Sequence, residues 1–433
     1  METPGIRFSM SALESIPVCK SRDKATQARW TALQCFCDPV PASCTRLLHL
    51  SLADWQRLLR WLDISGLALY FLHRIEELRW DGSLPQAVLA RLQQNLFDNA
   101  IRTQDMIAES GGIQREFLNT NLSYAILKGF SLWPCSVPDL ALRSQLDLDF
   151  LIAEKDSPAA RRILESRGYR LHAVSGRSWE FKTPHSLKRS LDDLYKAPPS
   201  RCVELHLETR AEGRDSLLAR AEKRQFHGIP MPVLRPADLF LGQGLHLFKH
   251  VCSEFARAAH LLEFRHHVIA RHDDVEFWRE VRAAARDNLR TSWALGLVTL
   301  LISRTMGDFA PHALTGWTVE RLPAAARLWV ETYGCRSVFA DPPGSKLYLL
   351  LQRELEIAGV PAKRSLRRIL LPMKLPPPIQ LAPEQESMGA RMRRYRLQAW
   401  FILHRLRFHI LEGIRYIRES ARWRQQLKVC GQS

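Results

Sequence analysis

Two aspartates two residues apart in an apolar run constrain the fold of this chain more than any other feature. The run from Leu146 to Ile152 is typical of a buried strand, and it contains Asp147 and Asp149. Alternate residues of a strand point to the same face, so the two carboxylates would lie about 7 Å apart along it. Burying two like charges is costly unless a cation neutralises them, and Asp oxygens suit Mg²⁺. The pattern therefore predicts a divalent metal site.

A second predicted strand, Cys202 to Glu208, offers a third carboxylate. Glu204 and His206 alternate there with apolar residues, so they share one face. If the two strands are neighbours in one sheet, Glu204 reaches the same ions as Asp147 and Asp149. Three carboxylates suit a two-metal clamp on a transferring phosphoryl group, with Mg²⁺ or Mn²⁺ as the metal. His206 either assists proton transfer or is a hydrogen-bonded histidine of the sheet.

The segment before the aspartates contains groups that suit phosphate. Lys128 and Gly129 follow a short apolar run, where a predicted strand gives way to a turn. Glycine allows backbone amides to approach a phosphate closely, and Ser131 adds a hydroxyl. Lys128 and Arg143 supply positive charge to phosphate oxygens. These four residues are the predicted nucleotide-binding groups.

Hydrophobic periodicity and proline content divide the chain into six segments. They are a poorly ordered lead-in (1–45), an N-terminal helical region (46–120), an α/β core (121–212), a helical domain (213–340), a Pro-rich linker (341–388) and a basic amphipathic helical tail (389–433). The predicted fold class is α+β, with a small mixed-sheet core embedded between helical segments and a helical C-terminal part.

Local signals predict where several helices begin or end. Ser51 and Asp54 form one capping-box pattern, and Asp273 with Glu276 forms another. Gly111-Gly112 is expected to interrupt or bend the last helix of the N-terminal region. Pro323 is expected to open a later helix that Gly334 closes.

The charge balance points to anionic partners. Lys and Arg number 62 against 45 acids, a formal net charge of +17, although a basic surface without a dedicated partner is the alternative. Nine cysteines without framework spacing argue against a secreted disulfide scaffold. The first residues lack the apolar core of a signal peptide, and no apolar run is long enough to span a bilayer. We therefore expect a cytoplasmic protein.

The basic tail interleaves arginines with aromatic and aliphatic residues. One interpretation is that it lies on an acidic membrane surface or contacts nucleic acid. The other is an amphipathic helix that packs back on the body of the protein and leaves an arginine face in solvent. The sequence favours the second interpretation.

Taken together, the Leu-Lys-Gly turn, the arginine before Asp-x-Asp and the Val-Glu-Leu-His strand resemble the uncharacterised nucleotidyltransferase family, which belongs to the polymerase-β-like superfamily. The resemblance covers roughly residues 46 to 330. It implies a nucleotidyltransferase core with a metal site and a phosphate-binding turn. The positions that match the family pattern are Lys128, Gly129, Arg143, Asp147, Asp149, Glu204 and His206.

The resemblance implies Mg²⁺-dependent transfer of a nucleoside monophosphate from a triphosphate such as ATP to a hydroxyl acceptor, with release of pyrophosphate. The acceptor would be a small molecule or a protein. The chain departs from the wider superfamily, because it has Lys-Gly at the turn, a longer insertion before Asp147, and Glu204 where aspartate is common. The alternative is a binding module with this fold and little turnover, which holds a partner protein or an anionic surface. A nucleic-acid-binding protein is a third interpretation.

Overall fold

The computed structural model describes residues 23–184, 193–196, 201–209, 216–253, 257–286, 288–339, 345–360, 366–370 and 387–430. The chain divides into two compact units. The first consists of Met1–Phe248 with Arg257–Arg321, and the second of Lys249–Ala256 with Leu322–Ser433.

A mixed seven-stranded sheet forms the centre of the first unit, with strand order β3-β4-β5-β2-β1-β7-β6. β2 pairs antiparallel with β1 and parallel with β5, and β1 also pairs parallel with β7. The predicted α+β class with a small mixed sheet is thereby confirmed. The strands are β1 (Tyr124–Leu127), β2 (Leu148–Ala153), β3 (Arg170–Ser175), β4 (Ser178–Lys182), β5 (Cys202–Glu208), β6 (Glu222–Phe226) and β7 (Ile229–Val233).

Helices account for most of the remaining described residues. They are α1 (Lys24–Gln34), α2 (Leu52–Ser65), α3 (Ala68–Glu77), α4 (Gln86–Asn119), α5 (Ser157–Ser166), α6 (Pro236–Val251), α7 (Ala258–Ala270), α8 (Val275–Ala285), α9 (Leu289–Met306), α10 (His312–Thr315), α11 (Ala324–Trp329), α12 (Cys335–Val338), α13 (Tyr348–Ile357), α14 (Leu366–Leu370) and α15 (Met388–Cys430). Within the described residues, no helix combines the length and the apolar character needed to cross a membrane.

The central strand β2 is buried because helices cover its sheet. Phe150 and Ile152 are fully buried within the sheet's hydrophobic core. The ring of Phe117 from α4 contacts Phe150 edge-on, with ring centroids 5.4 Å apart. Aromatic and aliphatic packing of this kind fixes which face of β2 is apolar, so the polar residues of the strand are directed to the other face.

The start of the chain is more ordered than its sequence suggests. The expectation of a poorly ordered lead-in over 1–45 is wrong from Asp23 onward. Helix α1 begins at Lys24, and the carboxylate of its N-cap Asp23 accepts hydrogen bonds from the amides of Ala25 and Thr26. Leu33 of α1 is fully buried, so apolar packing stabilises this helix despite its irregular sequence pattern. Residues 1–22 lie outside the described part of the chain.

Helix caps follow the predicted chemistry at one position and shift by one residue at another. Ser51 caps α2 and its hydroxyl accepts a hydrogen bond from the Asp54 amide, as the capping-box pattern predicts. At α8 the cap is Asp274, which accepts from the Phe277 amide, and not Asp273. Either aspartate can serve as a cap, and the sequence does not show which one the chain places at the helix start.

Of the predicted interruption or bend at Gly111-Gly112, the interruption is wrong, because helix α4 is continuous from Gln86 to Asn119. The two glycines serve close packing instead. A Cβ at Gly111 would lie 2.7 Å from Cδ1 of Ile229, and one at Gly112 would lie 2.7 Å from a guanidinium nitrogen of Arg167. The absence of a side chain therefore lets α4 approach β7 and α5.

The sheet extends past the predicted core boundary at residue 212. β6 and β7 fall inside the segment 213–340 that was expected to be helical, and they form a hairpin with register Phe226↔Ile229. Its turn residues, His227 and Gly228, have φ of 47° and 77°. Positive φ at both positions matches the turn that joins two-residue hairpins. The α/β core therefore runs from 121 to about 233.

The second unit has a helical core that contains buried aromatic side chains, among them Trp329, Tyr333 and Trp423. The indole of Trp329 donates to the Leu347 carbonyl at 2.9 Å, and the indole of Trp423 donates to Glu354 at 3.1 Å. The rings of Tyr333 and Trp423 lie 5.8 Å apart. Trp423 belongs to α15, so the predicted helical tail packs into this unit.

Two boundaries predicted for this part of the chain are corrected. Gly334 does not close a helix, because α11 continues through π-helical Val330–Gly334 into α12. The segment 341–388 is not linker throughout, since it contains α13 and α14. The proline-rich residues 371–386 lie outside the described part of the chain.

Candidate functional site

Parallel pairing of β2 with β5 brings the predicted carboxylates together. The register places Asp149 opposite Glu204 and Leu151 opposite His206. Paired residues of neighbouring strands, and residues two apart, project from the same face. Ligand atoms of Asp149, Glu204 and His206 accordingly all lie within 4.8 Å of one another. The expectation that these two strands are neighbours is confirmed.

One oxygen of Asp149 accepts two short hydrogen bonds. Nζ of Lys128 lies 2.7 Å from Oδ1 of Asp149, and Nε2 of His206 lies 2.8 Å from the same oxygen. His206 Nε2 also lies 3.3 Å from Oε2 of Glu204. Asp149 is only 4% exposed. Burial opposes its ionisation, but His206 and Lys128 outweigh that effect and lower the pKa of the Asp149 carboxyl.

The pKa of His206 is shifted in the opposite direction to that of Asp149. Burial disfavours its protonation, but hydrogen bonds to Asp149 and Glu204 outweigh that effect and raise the pKa of His206. The Glu204 carboxyl has a lowered pKa, chiefly because it is hydrogen-bonded to His206. The three side chains therefore form a charged network in which the histidine bridges the two carboxylates.

Asp147 directly precedes β2 and lies outside the group formed by Asp149, Glu204 and His206. β2 begins at Leu148, two residues later than the predicted strand start at Leu146. The Asp147 carbonyl accepts a hydrogen bond from Nε2 of Gln145 at 2.7 Å. Burial and the negative charge of Asp149 raise the pKa of the Asp147 carboxyl to about 6. Lys128 acts in the opposite direction but does not restore the ordinary value.

The turn after β1 has a strained backbone. Lys128 and Gly129 have φ of 50° and 43°, in the left-handed region. A Cβ at Gly129 would clash with the side-chain amide of Gln145, and the positive φ there favours glycine. Ser131 is fully buried, and its hydroxyl donates to the Lys128 carbonyl at 2.8 Å. The Ser131 hydroxyl thus shapes the turn in this structure.

Arg143 is directed to a partner that lies 120 residues away in sequence. Its Nε donates to Oε1 of Glu263 at 3.0 Å, and the Tyr70 hydroxyl donates to the same oxygen at 3.2 Å. Glu263 is 2% exposed. Burial disfavours the protonated form of Arg143, but the negative charge of Glu263 outweighs that effect and raises the pKa of the guanidinium. Arg143 therefore belongs to a buried ion pair, and the sequence pattern did not identify Glu263 as its partner.

Two further polar residues, which the sequence pattern did not single out, hold the long loop between Gly129 and Asp147. Nδ2 of Asn99 donates to the carbonyls of Ala141 and Arg143 at 2.6 and 3.2 Å. Arg102 donates to the Gln145 carbonyl. Asn99 and Arg102 lie three residues apart on α4 and are each 1% exposed. Polar residues at this spacing within an amphipathic pattern were the available signal.

The donor set fits a divalent cation. Asp149 and Glu204 offer carboxylate oxygens within one small region, the ligands that Mg²⁺ and Mn²⁺ prefer, and the ring nitrogen of His206 lies beside them. Burial, and after it the negative charge of Asp149, raises the pKa of the Asp147 carboxyl despite the opposing charge of Lys128. Additional positive charge would stabilise all three carboxylates in their ionised form.

Comparisons with known proteins identify one family. A family model described as "uncharacterised nucleotidyltransferase" matches residues 51–307, more than half of the chain. No curated protein matches. Among solved structures, the solution structure of the antibiotic-resistance factor ANT(2″)-Ia is 13% identical with a TM-score of 0.33, covering 43% of this chain and 94% of its own. The crystal structure of ANT(2″)-Ia with adenylyl-2″-tobramycin is 11% identical with a TM-score of 0.32, covering 42% and 98%.

Proposed function

The chain belongs to the uncharacterised nucleotidyltransferase family, and we propose on this premise that it transfers a nucleoside monophosphate from a nucleoside triphosphate to a hydroxyl acceptor. The acceptor oxygen forms a bond to the α-phosphorus, and the bond from that phosphorus to pyrophosphate breaks. The proton of the hydroxyl passes to a carboxylate of the site or to water. The register of Asp149 with Glu204 across β2 and β5 is the observation that carries this proposal.

We assign the metal to Asp147, Asp149 and Glu204. A bound Mg²⁺ or Mn²⁺ supplies Lewis-acid charge at the triphosphate and acidifies the acceptor hydroxyl. Asp149 and Glu204 are held by strand pairing, and His206 holds both carboxylates in place through Nε2. His206 is therefore a positioning residue in this proposal. The clustering of Asp149, Glu204 and His206, whose ligand atoms lie within 4.8 Å of one another, supports the assignment of Asp149 and Glu204.

We assign the triphosphate to the turn after β1. Lys128 follows the last residue of that strand and its ammonium lies beside Asp149, so it would supply positive charge to a triphosphate held at this site. The left-handed backbone at Gly129 lets main-chain amides face the ligand closely. Arg143 contributes its charge from the ion pair with Glu263. Ser131 supports the turn through its bond to the Lys128 carbonyl.

The test compares the wild type with the Asp147→Asn plus Asp149→Asn double variant. We expect Mg²⁺ with at least one of the four nucleoside triphosphates to raise the melting temperature of the wild type and to yield pyrophosphate. The double variant should show neither effect. Asp105→Asn plus Asp273→Asn, at two exposed aspartates, is the matched control and should behave as the wild type. Equal behaviour of wild type and double variant would overturn the proposal.

A binding module with little turnover is the second candidate, and one observation favours it. Three of the four predicted phosphate-binding groups have side-chain partners within the protein. Lys128 is paired with Asp149, Arg143 is paired with Glu263, and the buried Ser131 hydroxyl is bound to the Lys128 carbonyl. Nucleotide binding that depends on Asp149 without pyrophosphate release from any triphosphate would support this candidate. Release that depends on Asp149 would exclude it.

A further inference from the structure

An exposed apolar stripe runs along α15, the 43-residue helix at the end of the described chain. Its members recur every three or four residues, which places them on one side of the helix. The side chains other than Ala399 are between 46% and 78% exposed. The apolar stripe consists of Met388, Met392, Tyr395, Ala399, Leu403, Leu406, Ile410, Ile414 and Ile417.

The opposite side of the helix is anchored in the second unit. Glu412, Tyr416, Glu419 and Trp423 are buried at a similar spacing of three and four residues. Glu412 accepts from the Lys346 amide at 3.0 Å, and Glu419 accepts from the Tyr333 hydroxyl at 3.1 Å. At 100° per residue these positions lie about 140° from the apolar stripe. The stripe is therefore displayed outward by a helix that is fixed on its other side.

The exposed charges along the stripe are basic, because Glu412, the acidic residue within its length, is buried on the opposite side of the helix. From Met388 to Leu411 the sequence contains six arginines and no acidic residue. Arg396, Arg407 and Arg418 recur every eleven residues, so they form a row along one edge of the stripe. Trp400 lies in the same row and is 64% exposed. The surface thus combines an aliphatic centre with a basic edge that carries an aromatic anchor.

We propose that this surface of α15 binds the face of an anionic phospholipid bilayer, with the helix lying in the plane of the interface. Aliphatic side chains of the stripe enter the region between headgroups and acyl chains, and the arginine row contacts phosphate and carboxylate headgroups. The stripe from Met388 to Ile417 spans about 45 Å, which gives a large apolar area for such a contact.

Other occupants fit the surface less well. A second copy of the helix would bring one arginine row close to another, and like charges beside a helical seam are unfavourable. Nucleic acid would match the arginines but would leave the aliphatic stripe uncovered, because bases stack on aromatic and not on aliphatic side chains. An anionic bilayer surface covers the apolar stripe and also supplies negative charge to the arginine row.

The experiment is flotation of the full-length protein with vesicles of phosphatidylcholine and phosphatidylserine, with phosphatidylcholine-only vesicles in parallel. We expect binding to the anionic vesicles and little to the neutral ones. Leu403→Gln with Leu406→Gln and Ile410→Gln should weaken binding about tenfold or more, because each change removes inserted apolar area. All three side chains are exposed, so the melting temperature should stay unchanged.

A charge test separates specific contact from general basicity. Arg396→Glu with Arg407→Glu should reduce vesicle binding about tenfold. Arg60→Glu with Arg162→Glu changes the net charge equally at exposed arginines of α2 and α5 and should leave binding unchanged. Equal loss in both double variants, or dimerisation that the glutamine variant abolishes without vesicle binding, would overturn the proposal. Tight binding to RNA with no binding to anionic vesicles would overturn it as well.

Discussion

The ammonium of Lys128 lies 2.7 Å from Oδ1 of Asp149, at the carboxylate to which we assign the metal. The side chain of Asp149 is 3% exposed and that of Lys128 is 34% exposed. A buried carboxylate beside a movable ammonium is neutralised as long as no stronger cation is present. The lysine therefore competes with a metal for one oxygen.

Replacing Lys128 with Met should strengthen Mn²⁺ binding in the absence of nucleotide by about tenfold, because the competing charge is removed. Binding of the Mn²⁺-nucleotide complex should weaken by about tenfold, because the triphosphate loses a cationic partner. Electron paramagnetic resonance of free Mn²⁺ measures both. Lys155→Met, at an exposed lysine, is the control. Weaker Mn²⁺ binding by Lys128→Met without nucleotide would contradict the competition.

Changing Glu204 tests how far the metal site depends on strand register. Glu204→Asp withdraws the carboxylate by one methylene, and a displacement on the order of 1 Å can reduce a catalytic rate about a hundredfold. We expect both Glu204→Asp and Glu204→Gln to raise the Mg²⁺ concentration needed for stabilisation by nucleotide, the second more strongly. Thermal melting at varied Mg²⁺ measures this. Glu222→Gln on the edge strand β6 should have no effect, and a response equal to that of Glu204→Gln would refute the assignment.

Gly129→Ala should destabilise the first unit by about 1–3 kcal/mol. Its φ of 43° disfavours a side chain, and the added Cβ would clash with the side-chain amide of Gln145. Urea unfolding gives the free-energy difference. Gly82→Ala is the matched control, because a Cβ there would meet nothing within 4 Å, and its stability should be that of the wild type. An unchanged stability of Gly129→Ala would show that the turn has no such constraint.

Glu263→Gln should cost about 3 kcal/mol of unfolding free energy, because it leaves the charge of Arg143 without its buried partner. Tyr70 would also lose a charged acceptor. Glu276→Gln removes an ion pair with Arg279 in which both side chains are more than 60% exposed, and its effect on the unfolding free energy should be much smaller, because solvent screens the pair. Chemical denaturation of both variants provides the comparison. Equal losses of unfolding free energy in the two variants would show that burial of the Arg143–Glu263 pair does not increase its contribution to stability.

Acid should destabilise the first unit partly through His267. Burial lowers the pKa of His267 to about 3, below the ordinary value of 6.5, so between these values the unfolded chain binds a proton that the folded chain does not. Stability therefore falls as pH drops from 6.5 toward 3, by roughly 1.4 kcal/mol per pH unit at most.

His267→Asn keeps a side-chain amide that can donate to Gln243, as the imidazole can at 2.9 Å, and it should flatten this pH dependence. Urea unfolding between pH 7 and pH 4 measures the slope. His49→Asn at an exposed histidine is the control and should retain the wild-type slope. A wild-type slope in His267→Asn would assign the acid sensitivity to other groups.

Local patterns explain which parts of the fold were predictable. β5 alternates polar and apolar residues, and its prediction as a neighbour of β2 also predicted the contact of Glu204 with Asp149. β7 was missed because Pro230 and Pro232 are unusual in a strand, and β6 because its sequence is mostly polar. The His227-Gly228 turn was the remaining signal for that hairpin.

The parts of the site that depend on contacts between residues far apart in sequence could not be predicted. Arg143 was expected at phosphate, but its contact with Glu263 joins residues 120 positions apart, and no local pattern reports such a pair. The exposed stripe of α15 was visible in the sequence as an amphipathic pattern. Which side packs against the second unit depends on Tyr416 and Trp423 finding buried positions there, which only the structure shows.

The contacts of Asn99 and Arg102 with the loop before Asp147 have a consequence for the thermodynamics of ligand binding. Fixing one flexible residue costs about 1–2 kcal/mol of conformational entropy. Here folding itself orders the backbone of Ala141, Arg143 and Gln145, through side chains of one continuous helix. A nucleotide that binds beside this loop meets a surface already in place, so little of its binding free energy is spent on ordering the protein.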